Sequence, residues 1–431
     1  MSFINIPKDC DFTLANIPFG IFSTSANPTR RPCTAIGTQI LDLSSPFLSK
    51  ALKADNAANI CDALQSTTLN AFAALGKPAR VAVRNAVLEL VKTDSQWQGE
   101  VERTLVPMSD ATMHLPMEIG DYTDFYAGLN HAFNIGTLFR GPANALQPNY
   151  THLPVGYHGR ASTVVVSGTP IRRPLGQTCP PTNSTPNFDA CKRLDIELEL
   201  ACYISLPNEM GERVDIDDAG EHIFGYSLMN DWSARDVQAW EYVPLGPFNA
   251  KNFGTTVGAW IVTDEALGGF RTRGLDGRGT VLLPYLKEKD EGKGVFDVTL
   301  DVFVKPNGKE GFSKVFATNA KNLLFSFSQM VAHHTVTGCA MRTGDLLGSG
   351  TISGTDKTSV GSFLEANKNG KEEVDVGSGV GRMWLEDGDE VVLRGYAGDG
   401  DKRVGFGECA GVILPAKWGR LERVQGQAKQ V

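Results

Sequence analysis

The chain has 431 residues, 42% hydrophobic and 21% charged, with a formal net charge of −8. That is an ordinary globular make-up, long enough for two or three domains and a sizeable core. Scattered Lys and Arg exclude a basic stripe for a nucleic-acid partner, and no stretch approaches the roughly 18 consecutive apolar residues of a membrane span.

Residues 1–118 read as a small mixed module. Segments 19–22 and 38–43 are short strands between turn residues. Leu69, Phe72, Ala73 and Leu75 keep helical spacing, and Gly76 stops that helix before Pro78 opens another. In the second helix Val83, Val87, Leu90 and Val91 fall on one face. From 119 to 431 the texture changes to strands punctuated by glycine and proline: 163–167, 195–206, 258–262, 296–304 and 390–393. The connections 168–190 and 264–295 are long enough to be functional or mobile, and the polar tail 416–431 is expected to fray. The opening MSFINIPKDCDF lacks the pattern of a secretory signal, and the eight cysteines form no C-x-x-C pair. Reduced thiols in a cytoplasmic chain are the expectation.

The clearest chemical signal is RLDIELELACYISL (193–206). Strand alternation puts Ile196, Leu198, Leu200, Cys202, Ile204 and Leu206 on one face, and Asp195, Glu197, Glu199, Ala201 and Tyr203 on the other. An E-x-E pair alone reads most simply as a solvated sheet face. Here the acidic face turns apolar at Ala201 and Tyr203, so it is expected to be half-buried. Adjacent carboxylates there repel unless a hard cation such as Mg²⁺ or Ca²⁺ lies between them.

Three further segments carry polar groups in suggestive order. In 120–141, a helix beginning after Thr123 would set Asp124 and His131 on one face, a carboxylate beside a general base, with Arg140 able to grip a substrate carboxylate. The simpler reading of a lone histidine there is structural. In 229–256, Asp231, Arg235, Gln238, Tyr242, Lys251 and Thr255 interleave with Trp232, Trp240, Pro244, Leu245 and Phe248, as in a cleft wall. The alternative is a salt-bridged connector. In 344–365, Gly348, Gly350 and Gly354 let backbone approach a ligand, but no Lys-Ser/Thr ending follows, which excludes a nucleotide phosphate loop.

These segments, together with LPVGYHGRASTVVVSGTPIRRPLGQ (153–177) and the long run DWSARDVQAWEYVPLGPF, resemble the fumarylacetoacetases, the fungal type above all. The likeness runs from SFINIP to GFGECAGVILPA (405–416). It implies a mainly β fold with some α: a small SH3-like N-terminal barrel, then a mixed β-sandwich or roll that carries catalysis. It also implies a homodimer hydrolysing 4-fumarylacetoacetate, at the end of tyrosine and phenylalanine breakdown. Carried over by position, the resemblance implies metal ligation by Asp124, Glu197, Glu199 and Asp231, with Lys251 and Thr255 in the same pocket. It implies His131 as general base oriented by Glu365, and Arg235, Gln238 and Lys251 as oxyanion donors. Substrate contacts fall on Tyr126, Arg140, Gln238, Tyr242 and Thr351. Two rivals stand beside it. An acylpyruvate-type hydrolase or decarboxylase would keep the carboxylates without the full 231–248 run, and a non-catalytic metal-binding scaffold would need neither His131 nor Glu365.

Overall fold

A computed structural model describes residues 1–419 apart from 181, 183, 184 and 278. The part of the expected frayed tail beyond residue 419 lies outside the described residues.

The N-terminal strands build one antiparallel sheet. Phe19–Thr24 pairs with Arg31–Ile36 along one edge, and Gln39–Asp42 and Val106–Pro107 extend that side. The other edge is shared: Ala111–His114 takes 21–24, and Trp260–Ile261, from far along the chain, takes 19–20. Arg31–Ile36 had no periodic signal because most of RPCTAI is buried on both sides, and a strand covered on both faces shows no alternation. The helical pair is present as Asn70–Ala73 and Gly76–Val91, with Gly76 at φ +74° marking the break between them. Val83, Val87, Leu90 and Val91 all enter the core beneath the sheet.

The central sheet has seven strands in the order Gly156–His158, Tyr122–Phe125, Leu346–Gly348, Leu198–Ile204, Ile223–Asp231, Thr255–Val257 and Val164–Val166. Two of its pairings are parallel, Tyr122–Phe125 with Leu346–Gly348 and Thr255–Val257 with Val164–Val166. A five-stranded sheet built on Thr299–Lys305, Glu390–Ala397 and Val404–Leu414 covers one face. The strand Leu198–Ile204 is buried on both of its faces. Leu198, Leu200, Cys202 and Ile204 pack into the core shared with Leu300, Val302, Leu393 and Phe406, whereas Ala201 and Tyr203 join Phe19, Phe72 and Val87 on the N-terminal side. Each large aliphatic buried in this way contributes about 1.5–3 kcal/mol. The result is mainly β with some helix, a small N-terminal sheet leading into a larger unit of curled sheets.

The expected single strand over 195–206 is interrupted. Leu194–Asp195 pairs with Ser233–Ala234, and only from Leu198 does the chain pair with Ile223–Asp231. At the break Glu197 keeps half of its pairing: its carbonyl accepts the Asp231 N–H (3.2 Å), while its own N–H donates to the Asn230 side chain (3.1 Å). All eight cysteines are free thiols. No helix among the described residues is long and apolar enough to cross a membrane.

Candidate metal centre and active site

Neighbouring strand ends deliver the acidic side chains to one place. Asp124 comes from Tyr122–Phe125, Glu199 from Leu198–Ile204, Asp231 from the end of Ile223–Asp231, and Glu197 from the interruption. All four are buried, and one oxygen from each lies within 4.8 Å of the others. At an effective dielectric near 20, two like charges so close repel by about 3 kcal/mol. Basic side chains reach the cluster as well: Lys251 Nζ donates to both Glu197 and Asp231, and Arg235 Nη1 lies 2.9 Å from Glu197 Oε1.

The charges respond to this crowding. Asp124 and Glu199 are pushed well above the usual carboxylate range, first by burial and then by the neighbouring carboxylates; Asp231 is raised for the same reasons. For Glu197, burial is outweighed by Lys251, Arg235 and His131, and its carboxyl is held low. Burial disfavours the Lys251 ammonium, but Asp231 and Glu197 more than compensate and raise it.

The residues fit a hard divalent cation. Asp124 Oδ1 and Glu199 Oε1 are fully buried without a hydrogen-bond partner, so two oxygens stand ready as ligands. The other oxygens are fixed from behind: Gly350 N–H donates to Glu199 Oε2 (2.9 Å), Thr255 Oγ1 to Asp231 Oδ1 (3.0 Å) and Tyr157 Oη to Asp231 Oδ2 (3.2 Å). Gly348 lies in the strand between Asp124 and Glu199, and a Cβ there would stand 2.9 Å from Asp124 Oδ1 and 3.1 Å from Glu199 Oε2. Gly348→Ala is therefore expected to weaken divalent-cation binding by roughly 10–100-fold, the cost of displacing groups that orient ligands. Calorimetric titration with Mg²⁺ or Ca²⁺ checks this; unchanged affinity would show that the cradle is not where the cation binds.

His131 approaches the cluster from the helix Leu129–Arg140. The expected helix starting after Thr123 is wrong at its beginning: Asp124 belongs to a strand, and the helix opens only at Leu129. Sheet pairing with Leu346–Gly348 captures 122–125, so Asp124 and His131 meet through tertiary packing and not as two positions on one helix. Gly128 precedes the helix because a Cβ there would lie 2.0 Å from the Thr351 carbonyl oxygen.

His131 Nδ1 is 2.7 Å from Glu365 Oε2, and Nε2 is 3.8 Å from Glu197 Oε1. Ser353 and Ser362 hydroxyls each donate to Glu365 Oε2 (2.9 Å), and Asn134 donates to Oε1 (2.9 Å). Burial alone would raise the Glu365 pKa; His131 and these donors overcome it and hold the carboxyl low. An ionised Glu365 accepts a hydrogen bond from Nδ1–H, which leaves Nε2 as the basic nitrogen facing the cluster.

Arg235, at the start of the helix Arg235–Glu241, donates from Nε to Asp195 Oδ2 (2.8 Å) and from Nη1 to Gln238 Oε1 (3.1 Å), with Nη1 2.9 Å from Glu197 Oε1. Its Nη2 is buried without a partner. Tyr126 stands edge-on to the His131 ring at 5.5 Å. Thr351 is buried beside Gly128. The structure brings Arg235, Gln238, Lys251, Thr255, His131, Glu365 and Tyr126 around the four carboxylates. Arg140 is exposed at the helix end, donating to the Asn144 and Ala145 carbonyls, and Tyr242 is exposed in the 240–248 segment. Tyr157 and Asn134 were not legible in the sequence because their partners lie far along the chain, and Ser353 and Ser362, though near Glu365 in sequence, are aimed at it only by the turns that the fold imposes.

Comparison with known proteins gives the family. Residues 15–116 match the family described as "Fumarylacetoacetase N-terminal" and residues 122–413 match "Fumarylacetoacetate (FAA) hydrolase C-terminal". The chain belongs to the fumarylacetoacetase family. Fumarylacetoacetase of Emericella nidulans is 54% identical over 435 residues, covering 96% of this chain and 98% of the relative. That of Rattus norvegicus is 47% identical, covering 96% and 99%. Among solved structures, a fumarylacetoacetate hydrolase from Exiguobacterium antarcticum aligns at a TM-score of 0.51 and 17% identity, covering 93% of this chain and all of that one, a likeness of fold. The fumarylacetoacetase resemblance, read from several segments with the 231–248 run among them, is thus borne out over 96% of the chain.

Proposed function

We infer that this chain hydrolyses the carbon–carbon bond of 4-fumarylacetoacetate, giving fumarate and acetoacetate. The observation that carries the reading is His131: buried, locked to Glu365 through Nδ1, with Nε2 turned toward a carboxylate cluster built for a cation. His131 Nε2 takes a proton from water as the water oxygen bonds to the carbonyl carbon on the fumaryl side. Glu365 keeps the ring in the Nδ1–H tautomer and stabilises the imidazolium so formed. The tetrahedral oxyanion receives hydrogen bonds from Arg235 Nη2, the Gln238 amide and Lys251 Nζ. When it collapses, the carbon–carbon bond breaks and its electron pair leaves with the acetoacetate fragment as an enolate. A proton returned to that carbon completes the product.

Asp124, Glu197, Glu199 and Asp231 would hold Mg²⁺ or Ca²⁺, which supplies Lewis-acid stabilisation of the negative charge on the leaving fragment. Lys251, as an ammonium, has no lone pair to give a metal, so we assign it as counter-charge and donor beside Thr255. Arg140, Tyr126, Tyr242 and Thr351 would meet the terminal carboxylates and the chain of the substrate. The same reading carries a homodimer acting in the cytoplasm in tyrosine and phenylalanine breakdown. The decisive assay presents the purified, cation-supplied protein with fumarylacetoacetate and with acylpyruvates. Equal yields of fumarate and acetoacetate are expected, with acylpyruvates turned over far more slowly. Preference for an acylpyruvate, or no turnover of either, would overturn the assignment.

A further inference from the structure

Asp195 belongs to the acidic run of 193–206 yet stands outside the four-carboxylate cluster. It is fully buried, and its four hydrogen-bond partners are all donors. Oδ1 accepts the backbone N–H groups of Ile196 (2.8 Å) and Phe363 (2.8 Å). Oδ2 accepts Leu364 N–H (3.0 Å) and Arg235 Nε–H (2.8 Å). Two of these donors open the short helix Phe363–Ala366, which carries Glu365, the partner of His131. The fourth is the guanidinium whose other arm meets Glu197 and Gln238. A single carboxylate thus reaches both halves of the proposed chemistry without touching the place where substrate would lie.

We propose that Asp195 is a positioning residue that sets the plane of the Arg235 guanidinium while fixing the segment bearing Glu365, so that oxyanion donor and base partner keep one spacing. The arrangement is specific to a carboxylate. An amide at 195 keeps one oxygen for Ile196 and Phe363, but turns its NH₂ against Leu364 N–H and Arg235 Nε–H, donor against donor. A guanidinium freed at Nε is held only through Nη1, by Glu197 and Gln238, and can pivot about that one nitrogen so that its Nη2 loses its aim. Because Arg235 meets Asp195 through Nε (2.8 Å) and Glu197 through Nη1 (2.9 Å), two nitrogens of one rigid planar group, it acts as a fork that a point-charge ammonium cannot reproduce.

The inference rests on the hydrolase reading above. The test is a double-mutant cycle on the cation-supplied protein with fumarylacetoacetate, using Asp195→Asn and Arg235→Lys, with melting temperature and metal content recorded for each. Asp195→Asn is expected to lower kcat roughly 10- to 100-fold, the loss attached to one charge-assisted hydrogen bond, with KM nearly unchanged. In the Arg235→Lys background the same change should cost less than about threefold, because residues acting as a unit are not additive. Equal losses in both backgrounds, or an undiminished kcat in Asp195→Asn, overturns the positioning role. A matching fall in melting temperature with kcat unchanged per folded molecule assigns Asp195 to stability alone and overturns it as well. If Asp195→Asn does not fold, Arg235→Ala decides: rescue of turnover by guanidinium and not by methylammonium supports the oriented fork, and equal rescue by both, or by neither, refutes it. Absence of wild-type turnover would sink the hydrolase reading itself, whereas loss of the coupling alone sinks only the role of Asp195.

Discussion

Replacing His131 by alanine should lower turnover of fumarylacetoacetate by roughly 10²–10⁴-fold, the range a general base contributes, while divalent cation still binds. The substitution removes Nε2 and leaves Asp124, Glu197, Glu199 and Asp231 in place. Glu365→Gln should also reduce kcat, because an amide cannot stabilise an imidazolium, and its NH₂ would confront either the Ser353 and Ser362 hydroxyls at the Oε2 position or the Asn134 amide at the Oε1 position. The double variant should lose much less than the product of the two single losses, since the ring and its carboxylate act as a unit. Steady-state rates of the three variants, with metal content measured in each, check this. Normal turnover by His131→Ala at full metal occupancy would assign the proton to another base; fully multiplicative losses would dissolve the partnership with Glu365.

The second large effect concerns the cation. Exhaustive chelation should abolish turnover, and Mg²⁺ or Ca²⁺ should restore it. The same loss should appear in stability, with a definite sign. Asp124, Glu199 and Asp231 have folded-state pKa values above their unfolded ones, through burial and mutual repulsion. A carboxyl of that kind favours the fold below its unfolded pKa of about 4, and that contribution is lost as pH rises through the folded value. Glu197 and Glu365 are held low and act oppositely, favouring the fold above about pH 4 and losing that contribution as pH falls through their folded values. Cation binding removes the first penalty, so the rise in melting temperature on adding Ca²⁺ should grow with pH above about 4, and binding should release protons. Melts of chelated and cation-supplied protein across the pH range test it. A cation-induced shift that is flat with pH, or full activity in protein shown by elemental analysis to be metal-free, would refute the linkage.

How much of this was legible in the sequence depends on how local each signal was. Glu197 and Glu199 could be placed together from alternation alone, but the apolar turn at Ala201 and Tyr203 announced only a half-buried face, and the packing of the N-terminal module covers it completely. The helix face of Val83, Val87, Leu90 and Val91 was equally plain. Asp124 was misplaced because Tyr122–Phe125 is too short to show a period, and its conformation is decided by a partner strand far along the chain. The break at 196–197 was hidden for a related reason: the pattern of alternation runs through it unbroken, while the pairing partner changes. Asn134, Ser353 and Ser362 are unremarkable as letters, and only the fold aims them at Glu365. The pairing of the N-terminal sheet with Trp260–Ile261 likewise has no local sign.

The parallel pairing of Tyr122–Phe125 with Leu346–Gly348 has a consequence for how the molecule comes into being. His131 and Glu365 are 234 positions apart, and Asp124 reaches Glu199 only across a strand from the C-terminal third. Closing loops of that length must precede any reward from the contacts they create, which places this chain among slow, high-contact-order folders. During synthesis the strand carrying Glu199 leaves the ribosome well before its neighbour at 346–348, and at roughly 5–20 residues per second it waits on the order of ten seconds with one edge open. Its apolar face, later packed against Leu300, Val302, Leu393 and Phe406, is uncovered during that wait. The carboxylate cluster is therefore framed late, once the final third of the chain supplies the strand that lies between Asp124 and Glu199.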